Sequence, residues 1–425
     1  MCSSDLAHNF GRLGKELWTA GDNGEPITLY AGFNEQDEAR FVCGQIEKWI
    51  NSGNKASEAA ILYRSNAQSR ELEEALLRVN MPYRIYGGFS FYEFLEIRNA
   101  MAYLRLVASR DDDAAIERVI NTPVRGIGNK TLDFLRNLAR TESISLWQSA
   151  LKAINEGLLP SRATLSITGF LNLINELEDF AKSKDLHELC DQAILRSGLI
   201  QHHEKEGGEK ARTRIENLDE LINAAKAFEV EDIPRDEDML SNDLLDDTDE
   251  PAAEKELTEL DILTAFLDKA ALDAGDAQAE EFEDAVQLMT LHSAKGLEFP
   301  LVFMCGMEEG LFPHQRSAEE EGRLQEERRL CYVGITRARE QLVLSYAEHR
   351  RLYGKEIYPM PSSFISQIPS QYIEEIRPKA QVSSYSNNYR AASTMAKSEL
   401  GNETGFSLGQ RVLHQKFGEG IVLNY

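Results

Sequence analysis

The apolar pattern of this chain changes twice, and those two changes limit what it can fold into. Pro26 to Tyr30 is a strand-like run. From Glu35 to Ile50, Ala39, Phe41, Val42, Ile46, Trp49 and Ile50 recur at helical spacing. Ala59 to Tyr63 is a second apolar strand, and Gln68 to Val79 a second amphipathic helix with Leu72, Leu76 and Leu77 inward. Pro82 to Tyr86 is a third strand, closed by Gly87 and Gly88. This β-α-β-α-β order predicts a parallel sheet covered by helices. From about Glu93 to Phe282 helical periodicity takes over and no strand pattern stands out. Then Val286 to Leu291 and Pro300 to Cys305 read as strands, Glu319 to Ala338 as a helix and Gln341 to Tyr346 as a closing strand. Pro300 to Cys305 is continuously apolar, as a strand covered on both faces must be. Each flank alone supplies too few strands for a stable sheet. The expected architecture is therefore one α/β unit, 1–90 with 283–378, split by a helical insertion at 91–282, rather than three consecutive domains.

Charge adds a second constraint. The chain carries 46 Lys and Arg against 71 Asp and Glu, a net −25. That excludes a surface that is polyanion-binding throughout, but not a local basic groove. Residues 229–261 hold fifteen acidic and two basic residues, net −13 of the total. Self-repulsion there predicts a solvated acidic loop. A stretch rich in Ser, Asn and Ala at 379–405 reads as a linker, and 406–425 as the start of a small β-barrel. The five cysteines are widely spaced with no CxxC, so a reducing, cytoplasmic setting is expected, without disulfides or structural zinc. His202 and His203 have no nearby cysteine or third histidine and read as a solvated turn, so no metal site is expected. No apolar run approaches the ~20 residues of a membrane span, and no signal peptide is expected.

Two segments could carry chemistry. In the first, Thr290 to Phe299, a strand runs into a turn holding His292, Ser293, Lys295, Gly296 and Glu298 before the next strand. Ligands of open α/β sheets bind at the carboxyl ends of strands, so Thr290, His292, Ser293 and Lys295 stand where a phosphate could be held. An ordinary polar loop remains the alternative. In the second, Glu326 to Arg339, Arg337 lies near a helix end just before a strand. There it could stabilise charge on a transferring phosphoryl group or simply pair with Glu340 or Glu327. A third stretch, Arg125 to Thr131, is not a P-loop, since Asn129 rather than Gly precedes Lys130. Gly126, Ile127 and Gly128 look like the tight turn of a helix-hairpin-helix, whose backbone N–H groups approach a duplex phosphate with Lys130 adding charge. A plain glycine turn is the alternative.

The first two of these segments, Thr290 to Phe299 and Glu326 to Arg339, resemble motifs V and VI of the superfamily 1 DNA helicases, in the UvrD/PcrA/Rep group. Ala60 to Arg70 resembles motif IV, Tyr83 to Gly88 with Phe91 the block after it, and Arg212 to Leu218 and Gln410 to Gly420 are also similar. The resemblance implies a fold: the split α/β unit as the second RecA-like motor domain (2A), the insertion as the 2B domain, and 406–425 as a truncated Tudor-like module. It implies an ATP-dependent 3′→5′ helicase acting on single-stranded DNA and ss/ds junctions in repair and replication, cytoplasmic and nucleoid-associated. It implies roles as well. Arg337 would reach the nucleotide γ-phosphate, and Glu298, beside Gly296, its ribose. Tyr63, Arg64, Ser65, Asn66, Arg84, Phe91, Thr290, His292 and Lys295 would line a single-strand track. Gly126 to Gly128 and Lys130 would touch duplex. Excision- and mismatch-repair proteins and RNA polymerase are implied as partners.

No G-x-x-x-x-G-K-[ST] occurs in the sequence, nor a DExx-like strand end to hold Mg²⁺. In the family those parts, with the Mg²⁺ ligands, belong to a preceding motor domain. The chain is therefore expected to be the C-terminal part of a longer helicase, truncated at both ends and inactive alone as an ATPase. A non-enzymatic DNA-binding module keeping the fold is the alternative. A helicase-nuclease subunit would need a nuclease domain where the Tudor-like start stands.

Overall fold

The computed structural model describes residues 24–228, 258–275, 278–279, 282–314, 323–352, 355–376, 411–414 and 418–421. The first block forms β1 (Ile27–Gly32), α1 (Glu35–Asn51), β2 (Ala59–Tyr63), α2 (Ser69–Arg78) and β3 (Tyr83–Ile85). Helices follow: α3 (Leu95–Ala108), α4 (Asp113–Val119), α5 (Asn129–Glu142), α6 (Leu146–Asn155), α7 (Ser161–Ala181), α8 (Leu186–Ser197), α9 (Leu199–Glu206), α10 (Gly208–Ala227) and α11 (Glu259–Gly275). The last block gives β4 (Val286–Thr290), β5 (Phe299–Met304), α12 (Arg323–Ile335), β6 (Ala338–Ala347), β7 (Arg350–Leu352), β8 (Lys355–Ile357), α13 (Ser363–Ser366) and β9 (Ile373–Ile376).

Seven strands pair in the order β3-β4-β2-β5-β6-β1-β9, and every pairing is parallel. The two blocks interleave: β2 lies between β4 and β5, and β1 between β6 and β9. All five residues of β2 are buried, because both faces are covered. Ala59, Ile61 and Tyr63 pack with Val42, Ile46 and Leu76 on one face. Ala60 and Leu62 pack with Leu330 and Ile335 on the other. Helix α12 lies so close to the sheet that a Cβ on Gly334 would stand 2.6 Å from Leu291 Cδ2. Asn34 caps α1 by accepting from the Asp37 N–H at 2.8 Å, and three acidic residues sit in that helix's first turn, where the helix dipole favours them.

Helices α3 to α11 bury a core of their own, containing Tyr103, Phe170, Cys190, Leu218 and Phe266. His202 and His203 lie on α9 rather than in a solvated turn, and His203 is 1% exposed. The expected acidic loop at 229–261 falls outside the described residues up to 257, and Glu259 to Asp261 begin α11. The linker expected at 379–405 also falls outside them. Of 406–425, described separately because contacts divide the chain at Pro378 and Lys379, only an antiparallel pair is described. It joins β10 (Arg411–His414) to β11 (Gly418–Ile421).

At the carboxyl edge of the sheet a buried ion cluster ties together the segments that follow β1, β5 and β6. The Arg350 Nε donates to Glu308 Oε2 at 2.8 Å, and its Nη2 to Glu308 Oε1 at 2.6 Å and to Glu38 Oε2 at 2.5 Å. Glu38 in turn accepts from the Gly306 N–H and the Ser345 hydroxyl, so each carboxylate is hydrogen-bonded as well as paired. Removing one partner of such a cluster leaves an uncompensated buried charge. Arg350→Ala is therefore expected to cost about 3–5 kcal/mol of stability, read from denaturant unfolding, and an unchanged midpoint would contradict this account.

Candidate nucleic-acid interface

The residues that follow β2 and β4 come side by side because those strands are neighbours. The Gln68 side-chain carbonyl accepts from the backbone N–H of both Arg64 and Ser65 at 2.9 Å, fixing the turn after β2. Beyond β4, the Thr290 hydroxyl accepts from the Ser293 N–H at 3.2 Å and bonds its hydroxyl at 3.0 Å. The opposite wall comes from α10. The Ser65 hydroxyl donates to Glu216 at 2.7 Å, and Glu216 pairs with His314 at 3.1 Å. Burial opposes the Glu216 charge, but the bonds from His314 and Ser65 prevail and hold its carboxyl below the usual range. On the third side Arg64 grips Glu327 of α12 with two nitrogens, Nη2 to Oε1 at 2.7 Å and Nε at 3.1 Å.

These walls enclose a cleft of about 560 Å³. It brings together Arg64, Ser65, Asn66, Thr290 and His292 from the sequence-based set. It adds Lys210, Arg212, Thr213, His314 and Arg323, which that set lacks. The signal for the additions is the basic run Lys210, Arg212, Arg214 just after Gly207 and Gly208. Only the fold places that run opposite the strand ends. Cationic and hydroxyl groups along an open groove suit a phosphate backbone.

Other expected residues stand elsewhere. Tyr63 is 1% exposed, since the last residue of β2 points into the α1/α2 face, and its ring does not reach the cleft. Phe91 and Ile127 are likewise each 1% exposed, held in the helical core. Arg84 sits on edge strand β3, with Nη2 against the Glu283 carbonyl at 3.5 Å. Lys295 is exposed but is not part of the cleft lining. Gly126, with φ +81°, and Gly128 precede α5, with Lys130 exposed on its first turn. Arg125 clasps that turn to the core through the Tyr103 hydroxyl at 2.6 Å and the Ser197 carbonyl at 3.0 Å.

Arg337, Gly296 and Glu298 lie at the opposite, amino edge of the sheet, where β5 and β6 begin. The turn after β4 thus crosses from one edge to the other, so Glu298 does not share the strand-end cleft with Thr290. Gly296 has φ +90°, a left-handed backbone that side chains rarely adopt. The Arg337 Nη1 donates to the Leu297 carbonyl at 2.6 Å, Nε to the Val333 carbonyl at 2.8 Å and Nη2 to Thr336 Oγ1 at 2.9 Å. A cation at this helix end is favoured by the dipole. The expected alternative pairing with Glu327 does not form, because Glu327 holds Arg64.

Comparison with known families decides the affiliation: the UvrD-like helicase C-terminal domain model matches residues 1–349. The chain belongs to this family. It is 51% identical over 419 residues to DNA helicase II of Salmonella typhimurium and to that of Escherichia coli. It is 38% identical over 429 residues to the ATP-dependent DNA helicase PcrA of Staphylococcus aureus. Each match covers 99% of this chain but 54% or 55% of the relative, so the chain spans about half the length of the curated relatives it matches.

In this UvrD-like chain, α10 continues from the cleft along a second cavity of about 260 Å³, lined by Asp219, Glu220, Asn223, Arg70 and Arg350. Burial, with Glu216, Asp191 and Glu220 nearby, pushes the Asp219 carboxyl up to about 7. An unfolded Asp ionises near 3.9, so the folded chain keeps a proton that the unfolded chain has lost between about pH 4 and 7. Stability is lost across that window as pH rises. Asp219→Asn is therefore expected to match the parent Tm at about pH 4 and exceed it increasingly up to about pH 7. A Tm difference that does not vary with pH would refute the burial argument.

Proposed function

We propose that this chain is the second motor domain, with its 2B insertion, of an ATP-dependent DNA helicase that moves 3′→5′ along single-stranded DNA during repair and replication. The observation that carries this reading is the cleft at the carboxyl edge, where two strand ends and the basic start of α10 converge. One DNA strand lies there, its phosphates on Lys210, Arg212 and Arg323 and its sugars and bases along Asn66, Thr290 and His292. The turn at Gly126 to Gly128, with Lys130, rests on duplex ahead of it.

At the other edge, Arg337 and Glu298 face a nucleotide. Three of the five N–H groups of Arg337 are used within the domain, which fixes the guanidinium and leaves two for phosphate oxygens. Hydrolysis of ATP supplies the free energy for movement. These residues contain no P-loop, so we assign the phosphate cradle and the Mg²⁺ ligands to a separate motor domain, as the greater length of the relatives supports. Repair proteins and RNA polymerase as partners, and a cytoplasmic, nucleoid-associated setting, follow from the family resemblance. Among the described residues no helix is long and apolar enough to cross a membrane.

The test uses the 425-residue chain and labelled single-stranded DNA. Salt-dependent binding is expected, and Lys210→Gln or Arg212→Gln should each lower the slope of log K against log salt by roughly 0.7. The same chain should show no DNA-stimulated ATPase. Binding unaffected by both substitutions would remove the cleft from the reading, and ATPase from this chain would overturn the division of the nucleotide site. If Arg337→Ala left the turnover of the chain joined to a P-loop domain unchanged, Arg337 would drop out of the nucleotide site; if that joined protein bound DNA but hydrolysed no ATP, the non-enzymatic alternative would stand instead.

A further inference from the structure

Helix α9 carries a group that the nucleic-acid reading does not use. His203 is 1% exposed, and neither of its ring nitrogens has a hydrogen-bond partner among the described residues. A buried imidazole with both nitrogens unsatisfied is costly, and such a group asks for an explanation, an ion among them. Its surroundings supply one. The His203 Nδ1 lies 3.6 Å from Glu206 Oε1, and the His202 Nε2 lies 3.8 Å from the same oxygen. Both distances are too long for hydrogen bonds. They are close to the roughly 3.3 Å that separates donors around a tetrahedral zinc ion bound at about 2.0–2.2 Å.

We propose that His202, His203 and Glu206 bind a divalent first-row transition ion, zinc foremost. Glu206 stands three residues after His203 and four after His202, so its carboxylate can reach either imidazole, and the three donor atoms lie within 4.8 Å of one another. Two imidazoles with one carboxylate suit zinc, copper or nickel, whereas Mg²⁺ and Ca²⁺ prefer all-oxygen shells. The second carboxylate oxygen of Glu206 is engaged by Arg214, which also faces Glu96 at 3.7 Å. That contact orients the carboxylate so that Oε1 is left for the ion. The side chains of His202 and Glu206 are 33% and 35% exposed, so the site is open on one side to an entering ion and to a water as fourth ligand. The sequence hides this site because its third ligand is a glutamate, and because His203 looks solvent-facing until α9 packs.

The location gives the ion a structural consequence. Helix α9 meets α10 at Gly207 and Gly208, both with positive φ, and the Glu206–Arg214 pair spans that junction. An ion on Glu206 stiffens the joint from which Lys210 and Arg212 enter the cleft.

The experiment titrates ZnCl₂ into the metal-stripped 425-residue chain by calorimetry, with Co²⁺ as a spectroscopic probe. One zinc per chain is expected, with visible Co²⁺ bands of four-coordinate intensity and a Tm raised by zinc but not by Mg²⁺. His202→Gln, at a half-exposed position, and Glu206→Gln should each weaken binding at least tenfold while keeping the far-ultraviolet circular dichroism of the parent. No zinc uptake by the folded parent would overturn the proposal. So would uptake unchanged in either folded variant.

Discussion

Strand β2 is hydrogen-bonded on both sides to strands that come after the whole helical segment, and the remaining architecture depends on that pairing. A five-residue strand with both faces covered has no solvent edge to tolerate polar side chains, so its sequence is uniformly apolar. Once β4 and β5 flank it, the turns at Arg64 and Thr290 must lie side by side. Because β3 and β4 are parallel, the helical segment leaves the sheet at the carboxyl end of β3 and returns at the amino end of β4, and on the way α10 lies against the carboxyl edge.

Along that edge, polar contacts rather than apolar packing join the helical part to the sheet. Ser65 binds Glu216, Arg70 binds Glu220 at 2.7 Å, and the Asn223 amide reaches the Arg351 carbonyl at 3.3 Å. Each contact has a directional optimum, so the face of α10 is held in one register along the strand ends. Helix α12 links the two edges. Its Glu327 is paired with Arg64 in the cleft, and its last turn leads into Arg337 at the other edge. A rigid helix anchored at both ends gives the proposed DNA and nucleotide sites a direct mechanical connection through a single element.

Much of this was legible beforehand, and the failures share a cause. The strands and helices of both blocks follow from strong periodicity; the strand-end rule picked out Thr290 and His292, which line the cleft, and Lys295, which does not, while Arg64, Ser65 and Asn66 came from the resemblance to motif IV. Strand β9 was missed because Ile373 to Ile376 is short, lies at an edge and has Glu374 and Glu375 exposed. The motif IV resemblance put Tyr63 on the single-strand track, but alternation along β2 sends it inward with Ile61. Phe91 is buried for a related reason: a motif names residues, while burial depends on what packs from elsewhere. Lys210, Arg212 and the His203 site are set by non-local packing, which a local pattern does not record.

The interleaved sheet also has a consequence for the order in which the chain is made. A ribosome releases β1, β2 and β3 long before β4, β5 and β6 exist, so the first block emerges with two apolar strands lacking their neighbours. The helices that follow have mainly local contacts and can settle on their own core first. Their packing then shortens the span that the late strands must search before closing around β2. Until that closure, the uncovered strand is the part of the nascent polypeptide most in need of a chaperone.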